Sequence, residues 1–226
     1  MLPESSALSV HLQAYKSMGR IDLYGLNAPI CQFNEATDKS LPPPIPTAGN
    51  PHFDPCGDYR IWWYMNRLEV QQAFNVLPKE SSTEVQWNSC GESVNISYAP
   101  SSNGATVSQL YPELMASGIE VLLISGNDDG YVPTLGTRTW IGVLKKVVVV
   151  PVRSTPASAD ATVDQVPWVN NQTGQVGGYI TKYRLASKRG GSFELAVVMN
   201  AGHQPPYFQP AGVAQLVSGW INQISL

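Results

Sequence analysis

Two short loops, each closing a continuous apolar run, constrain this chain more than any other feature: Ser125-Gly126-Asn127-Asp128-Asp129-Gly130-Tyr131-Val132-Pro133 and Asn200-Ala201-Gly202-His203-Gln204-Pro205-Pro206. The runs before them, Ile119 to Ile124 and Leu195 to Met199, are rich enough in branched residues to be strands buried on both faces of a parallel sheet. A segment of helical character follows each loop. In open α/β sheets, ligand and catalytic groups sit just beyond the carboxyl ends of such strands. An acid loop followed by a histidine loop supplies the last two members of a Ser…Asp…His order, in which the nucleophile comes first. A serine in a strand-to-helix turn is therefore expected upstream, and no convincing candidate stands there.

Further motifs occur in a fixed order around these loops: Tyr24 to Cys31, Phe53-Asp54-Pro55-Cys56, Asn66 to Ala73, Trp87 to Cys90, and Val176-Gly177-Gly178-Tyr179. Together they resemble the serine carboxypeptidases over nearly the whole chain. The family pattern Gly-Asp-x-Asp-x-x-Val-Pro matches Gly126 to Pro133, so the resemblance carries the catalytic aspartate to Asp129. The pattern Gly-Gly/Ala-Gly-His-x-x-Pro matches Asn200 to Pro206 and carries the catalytic histidine to His203. What aligns is the family's carboxyl-terminal half. Its Trp-Asn-Gly-Gly-Pro-Gly oxyanion loop and Gly-Glu-Ser-Tyr-Ala-Gly nucleophile elbow have no counterpart.

The resemblance implies an α/β chain forming the carboxyl-terminal portion of an α/β-hydrolase fold. Residues 1–57 would belong to the insertion or cap region, with a proline-rich exposed loop at 32–50, and residues 58–226 to the core. It also implies a serine-type carboxypeptidase, which releases carboxyl-terminal amino acids from peptides through an acyl-enzyme. Lacking the serine and the oxyanion loop, this chain is expected to be inactive by itself and to need an amino-terminal half or second chain. An acyltransferase or lyase of the same superfamily, or an inactive truncated or interaction fragment, are the alternatives.

In that scheme His203 is general base and then general acid, a task suited to an imidazole because its ordinary titration range spans physiological pH. Asp129 holds one tautomer and stabilises the imidazolium. Asn127 stands where the family usually has Asp. Gln204 and Pro205 replace Met or Glu followed by Val, which puts Gln204 in the region implied to line the specificity pocket. Gly91-Glu92-Ser93 copies the start of the elbow, but Asn95 occupies the position that needs a small residue, and Ser81 to Ser89 is too polar for a buried strand. Ser93 is therefore read as a decoy.

Composition narrows the remaining classes. A chain of 226 residues with 43% apolar content can bury a core, and a net charge of −3 with 14% charged residues leaves no basic stripe for nucleic acid. No run is long enough to span a membrane, and residues 1–19 lack the features of a signal peptide. Three scattered histidines without His-Glu-x-x-His make a zinc enzyme improbable, and no phosphate-cradling loop follows a strand, so no metal or cofactor is expected. Three cysteines leave one unpaired in any scheme. The resemblance implies a Cys31–Cys56 disulfide and pairs Cys90 with a segment absent from this sequence, a buried free thiol being the alternative. Sequons at Asn95 and Asn171 fit a glycosylated protein. The compartment expected is vacuolar, lysosomal or extracellular.

Helices are expected at Leu8 to Met18, Asp58 to Met65, from an Asn66 cap to a stop at Pro78 with Glu69 closing a capping box, Gln109 to Ser117, Thr134 to Leu144 and Gln209 to Ile224. Leu135, Thr139, Ile141 and Leu144 should face the sheet. Extended structure is expected at Arg20 to Ala28, and strands at Lys145 to Val152, Tyr179 to Ala186 and Phe193 to Met199, with Gly177-Gly178 in a hairpin-like connection.

Overall fold

The two apolar runs become the parallel heart of a mixed sheet. The computed structural model describes residues 17, 19, 21–32, 53–89, 108, 110–145, 149–151, 165–185 and 190–222. Along the chain these form α1 (Gly57–Met65), α2 (Leu68–Ala73), α3 (Leu110–Ala116), β1 (Val121–Gly126), α4 (Thr134–Lys145), β2 (Val149–Pro151), β3 (Val166–Val169), β4 (Val176–Leu185), β5 (Ser192–Val198), α5 (Pro205–Phe208) and α6 (Pro210–Ile221). The strand order is β1-β5-β4-β2, with β3 also on β4. β1 and β5 run parallel, with Ser125 opposite Val197 and Gly126 opposite Val198. Their ends are therefore level, and the two loops leave the sheet side by side. β4 is antiparallel to β5, β2 and β3.

Alternation along β5 builds two cores. Phe193, Leu195 and Val197 pack with Tyr183, Leu185, Met115 and Ile141 beneath α3 and α4, while Ala196 and Val198 pack with Trp168, Ile180, Val213 and Leu216 beneath α6. Helices thus cover both faces, an arrangement compatible with part of an α/β-hydrolase fold. β5 is buried on both sides as expected, but Val121 to Ile124 of β1 are only half-buried. Among the described residues β1 pairs with β5 alone, and no described strand covers its outer edge.

Several local expectations give way to tertiary contacts. The inner face of α4 carries Thr137, Trp140, Ile141 and Leu144, whereas Leu135 is 76% exposed and Thr139 bonds back to its carbonyl. Gly177 and Gly178 lie inside β4 rather than in a connection, because a β-carbon on either would overlap the Trp168 ring or the carbonyl of Val197. β3 lies between the strands expected at Lys145 to Val152 and Tyr179 to Ala186, where no strand was expected, and of Lys145 to Val152 the described residues place Val149–Pro151 in β2 and Lys145 at the end of α4. In α6, Val213 and Leu216 are buried but Ile221 is 65% exposed.

Asn66 does not cap α2. Its amide donates to the carbonyls of Trp62 and Trp87 and accepts the Trp87 N–H. Gln71 repeats the device, donating to Met65 and Val85 and accepting the Val85 N–H. A carboxamide that pairs a whole peptide group makes two bonds where a cap makes one, so both side chains hold the 81–89 segment instead. Glu69 turns to Arg67 and closes no capping box. α2 ends at Ala73, with Asn75 at φ 57°, before Pro78 is reached. The proline-rich stretch, the first helix apart from Ser17, and Cys90, Ser93 and Asn95 lie outside the described residues.

Candidate active site

Backbone bonds join the two loops before any side chain is considered. Asn127 N–H donates to Val198 O at 3.0 Å and Asp128 N–H to Ala201 O at 2.9 Å. Gly126 must be glycine, since a β-carbon there would overlap the carbonyls of Ala201 and Gly202. Beyond it, the Thr134 hydroxyl meets Ser125 Oγ at 2.8 Å and Gly126 O at 3.0 Å, fixing the start of α4 against the end of β1.

Asp129 points into the junction with its side chain only 6% exposed. Its Oδ1 accepts the N–H groups of Tyr131 and Val132, each at 2.8 Å. That turn leaves Oδ2 to face His203 Nδ1 at 2.9 Å, across 74 residues of sequence. Beside a carboxylate whose oxygens both accept, Nδ1 is the nitrogen that carries the proton. The imidazole is 34% exposed along its side chain, and Nε2 remains for a reacting group. The sequence-predicted acid and base are therefore brought together in hydrogen-bonding geometry.

A third segment, expected to be merely extended, braces both loops. Residues 21–28 turn rather than extend, because Asp22 Oδ1 accepts the Tyr24 N–H and Asp22 O the Gly25 N–H. This clip accepts from Gly130 N–H at Leu23 O and from His203 N–H at Tyr24 O, and its Leu26 N–H donates to Asp128 O. Tyr24 also stacks on Tyr131 at 5.0 Å between centroids and meets the His203 ring edge-on at 5.1 Å. The Asp-x-Tyr turn signal was present in the sequence; its docking target was not.

The clip is tied down from behind. Cys31 bonds to Cys56, the pair that the resemblance implied. Asp54 accepts the Cys56 N–H and pairs with Arg60. The Tyr207 hydroxyl, just past His203, donates to Asp54 O at 2.6 Å and accepts the Asp54 N–H at 3.0 Å. Burial is the main cause that raises the Tyr207 phenol above its ordinary value.

Gln204 is exposed, and its carbonyl receives the Tyr207 N–H at the start of α5. Asn171 is exposed in the β3–β4 turn. Behind the acid loop lies an open cleft of about 460 Å³, lined by Asn27, Asp128, Asn170, Asn200, Trp168 and Phe208 among others. Among the described residues no three His, Cys, Asp or Glu side chains converge as a metal would require, and no helix is long and apolar enough to cross a membrane.

Comparison with known proteins points the same way as the geometry. The serine carboxypeptidase family model matches residues 4–223. Among curated proteins, serine carboxypeptidase-like 40 of Arabidopsis thaliana is 30% identical over 91% of this chain and 35% of its own length. Serine carboxypeptidase-like 29 of the same plant is 28% identical over 92% of this chain and 39% of its own length. The chain thus spans well under half the length of these relatives.

Proposed function

The chain belongs to the serine carboxypeptidase family, and from that premise we propose that it supplies the acid and the base of a serine-hydrolase triad, Asp129 and His203. The hydrogen bond between their side chains, with the second carboxylate oxygen anchored by two backbone N–H groups, is the observation that carries this reading. His203 Nε2 takes the proton of a serine hydroxyl as the oxygen attacks a peptide carbonyl. It then delivers that proton to the departing amine, leaving an acyl-enzyme that water hydrolyses. Asp129 stabilises the transient imidazolium and prevents the ring from turning. The serine, the oxyanion donors and the group that reads the substrate's terminal carboxylate come from a companion amino-terminal half, paired against the outer edge of β1. Gln204, exposed next to His203, contributes to the pocket for the terminal residue.

The substrate is a peptide, and the product is its last amino acid. A vacuolar, lysosomal or extracellular setting accords with the Cys31–Cys56 disulfide. The same two loops would also serve an acyltransferase or a lyase. The test is to assay this chain alone, and joined to an amino-terminal half of a relative, against a blocked dipeptide and against an activated acyl donor with an alcohol acceptor. Release of free amino acid only by the joined protein, abolished by His203→Ala, is expected. Acyl transfer without peptide cleavage would overturn the peptidase assignment. Activity of the chain alone would overturn the division of labour.

A further inference from the structure

We propose that Tyr24 is a positioning residue for the base, steadying the plane of the His203 imidazole with its ring while its carbonyl holds the His203 backbone. A hydrogen bond at Nδ1 keeps an imidazole from flipping over but lets it rock about that corner, so the direction of Nε2 depends on a second contact. An imidazole that rocks away from the carboxylate also admits the other tautomer. The clip supplies the second contact. The Tyr24 ring lies 5.1 Å from the imidazole between centroids, with the planes at 70°, inside the range and geometry at which aromatic rings attract. Tyr24 O accepts the His203 N–H at 2.8 Å, so one residue fixes both the root of the side chain and its ring.

Tyr131 closes the arrangement into a cycle. Its ring stacks on Tyr24 at 5.0 Å with the planes 16° apart and lies 6.1 Å from the imidazole at 77°. Its N–H donates to Asp129 Oδ1, while Oδ2 of the same carboxylate meets His203 Nδ1. Asp129, His203, Tyr24 and Tyr131 therefore touch in a closed ring of contacts drawn from three separate segments. Tyr24 is itself held, since its N–H donates to Asp22 Oδ1 at 2.9 Å. The two tyrosines are 41% and 61% exposed, so filling the core does not account for where they stand. In each turnover the imidazole takes up and releases a proton at Nε2, and a ring that rocks between those steps loses rate rather than substrate affinity.

The inference rests on the roles proposed above for Asp129 and His203, and its test reads the imidazole directly, with no need of a serine. The full chain, carrying heavy nitrogen in its three histidines and kept dilute enough to stay monomeric, is followed by two-bond proton–nitrogen correlation above the histidine titration range. His203→Ala assigns the His203 signals. In the wild type Nδ1 carries the proton. Tyr24→Leu is expected to lower the ratio of this tautomer to the other by about 3–10-fold, the worth of one aromatic contact, whereas Tyr24→Phe keeps the wild-type shifts. Where Tyr24→Leu loses its dispersed spectrum, Tyr131→Leu is read instead and should move the ratio in the same direction. Wild-type shifts in the folded leucine variant overturn the proposal, as does a Tyr24→Phe chain that behaves like Tyr24→Leu. Loss of fold by both leucine variants overturns it too, since the pair would then be a structural brace. In the reconstituted enzyme kcat of Tyr24→Leu should fall with KM unchanged; a change confined to KM would place Tyr24 in substrate binding and overturn the positioning role. Absence of peptide cleavage beside an intact tautomer shift would remove the hydrolase reading and leave this one standing.

Discussion

Gly202 passes so closely beneath the carbonyl of Tyr24 that a β-carbon would overlap the oxygen, and the next residue's N–H donates to that same oxygen at 2.8 Å. The histidine loop is therefore seated on the clip by its backbone, and the clip holds the acid loop through Leu23 and Leu26. Perturbing this point should loosen both halves of the Asp129–His203 pair together.

Gly202→Ala is expected to cost about 1–3 kcal/mol, the usual penalty for overpacking a filled site, read as a lower thermal midpoint. Gly136 and Gly142 are the control. Both lie in α4 with open space around the missing β-carbon, so alanine there should stabilise by roughly 0.5–1 kcal/mol. Equal effects at the three positions would refute the clip.

Asp129→Asn keeps the shape of the side chain but cannot stabilise an imidazolium or fix the same tautomer. In the reconstituted enzyme kcat should fall by about 10⁴-fold, with circular dichroism unchanged. Loss of less than tenfold would mean that the hydrogen bond to His203 is structural only.

Tyr207 holds Asp54 through its neutral hydroxyl, and burial lifts its phenol above the ordinary value. A raised folded value means that this contribution is complete below the unfolded phenol value of about 10 and disappears as pH rises through the folded one. Tyr207→Phe should destabilise the chain by about 1–3 kcal/mol near neutrality. Its stability should then decline less between about pH 9 and 11 than that of the wild type, followed by denaturant titration at each pH. Parallel declines would place the alkaline sensitivity elsewhere, with buried Tyr183, whose phenol is also raised, the next residue to test.

Gln71 is 4% exposed and spends its whole carboxamide on Met65 and Val85. Gln71→Ala removes the bonds to Met65 and Val85, at a net cost of about 0.5–1.5 kcal/mol for each. Hydrogen exchange at the Val85 amide should accelerate, while Ile124 in β1 keeps its protection. Unchanged exchange at Val85 would show that the 81–89 segment is held by other means.

The outer edge of β1, unpaired among the described residues, carries a separate expectation. Alone, the chain should associate with increasing concentration in sedimentation velocity, and an amino-terminal half should suppress this by pairing with β1. A monodisperse chain with one sharp melting transition would argue against that edge as a docking site.

Strand, loop and helix succession around Asp129 and His203 was legible in the sequence because it depends on local pattern: branched apolar runs, turn residues and a helix start. β5, α3, α4 and α6 lie close to where periodicity places them for the same reason. Local pattern misplaced Asn66 as a cap, Gly177-Gly178 as a connection and Leu135 as a core residue. In each case the deciding partner, whether the Trp87 peptide group, the Trp168 ring or the helix rotation set by Ile141, is distant in sequence or depends on three-dimensional packing.

By itself, then, the sequence, through its resemblance to the family, named Asp129 and His203 as acid and base, and its apolar runs and turn residues placed them at strand ends, because those patterns are local. Only the tertiary structure decided that they meet at 2.9 Å and that residues 21–28, tied through Cys31–Cys56, hold them there. Hydrogen bonds and contacts across such separations form when packing brings the segments together, and no local pattern specifies a partner's address.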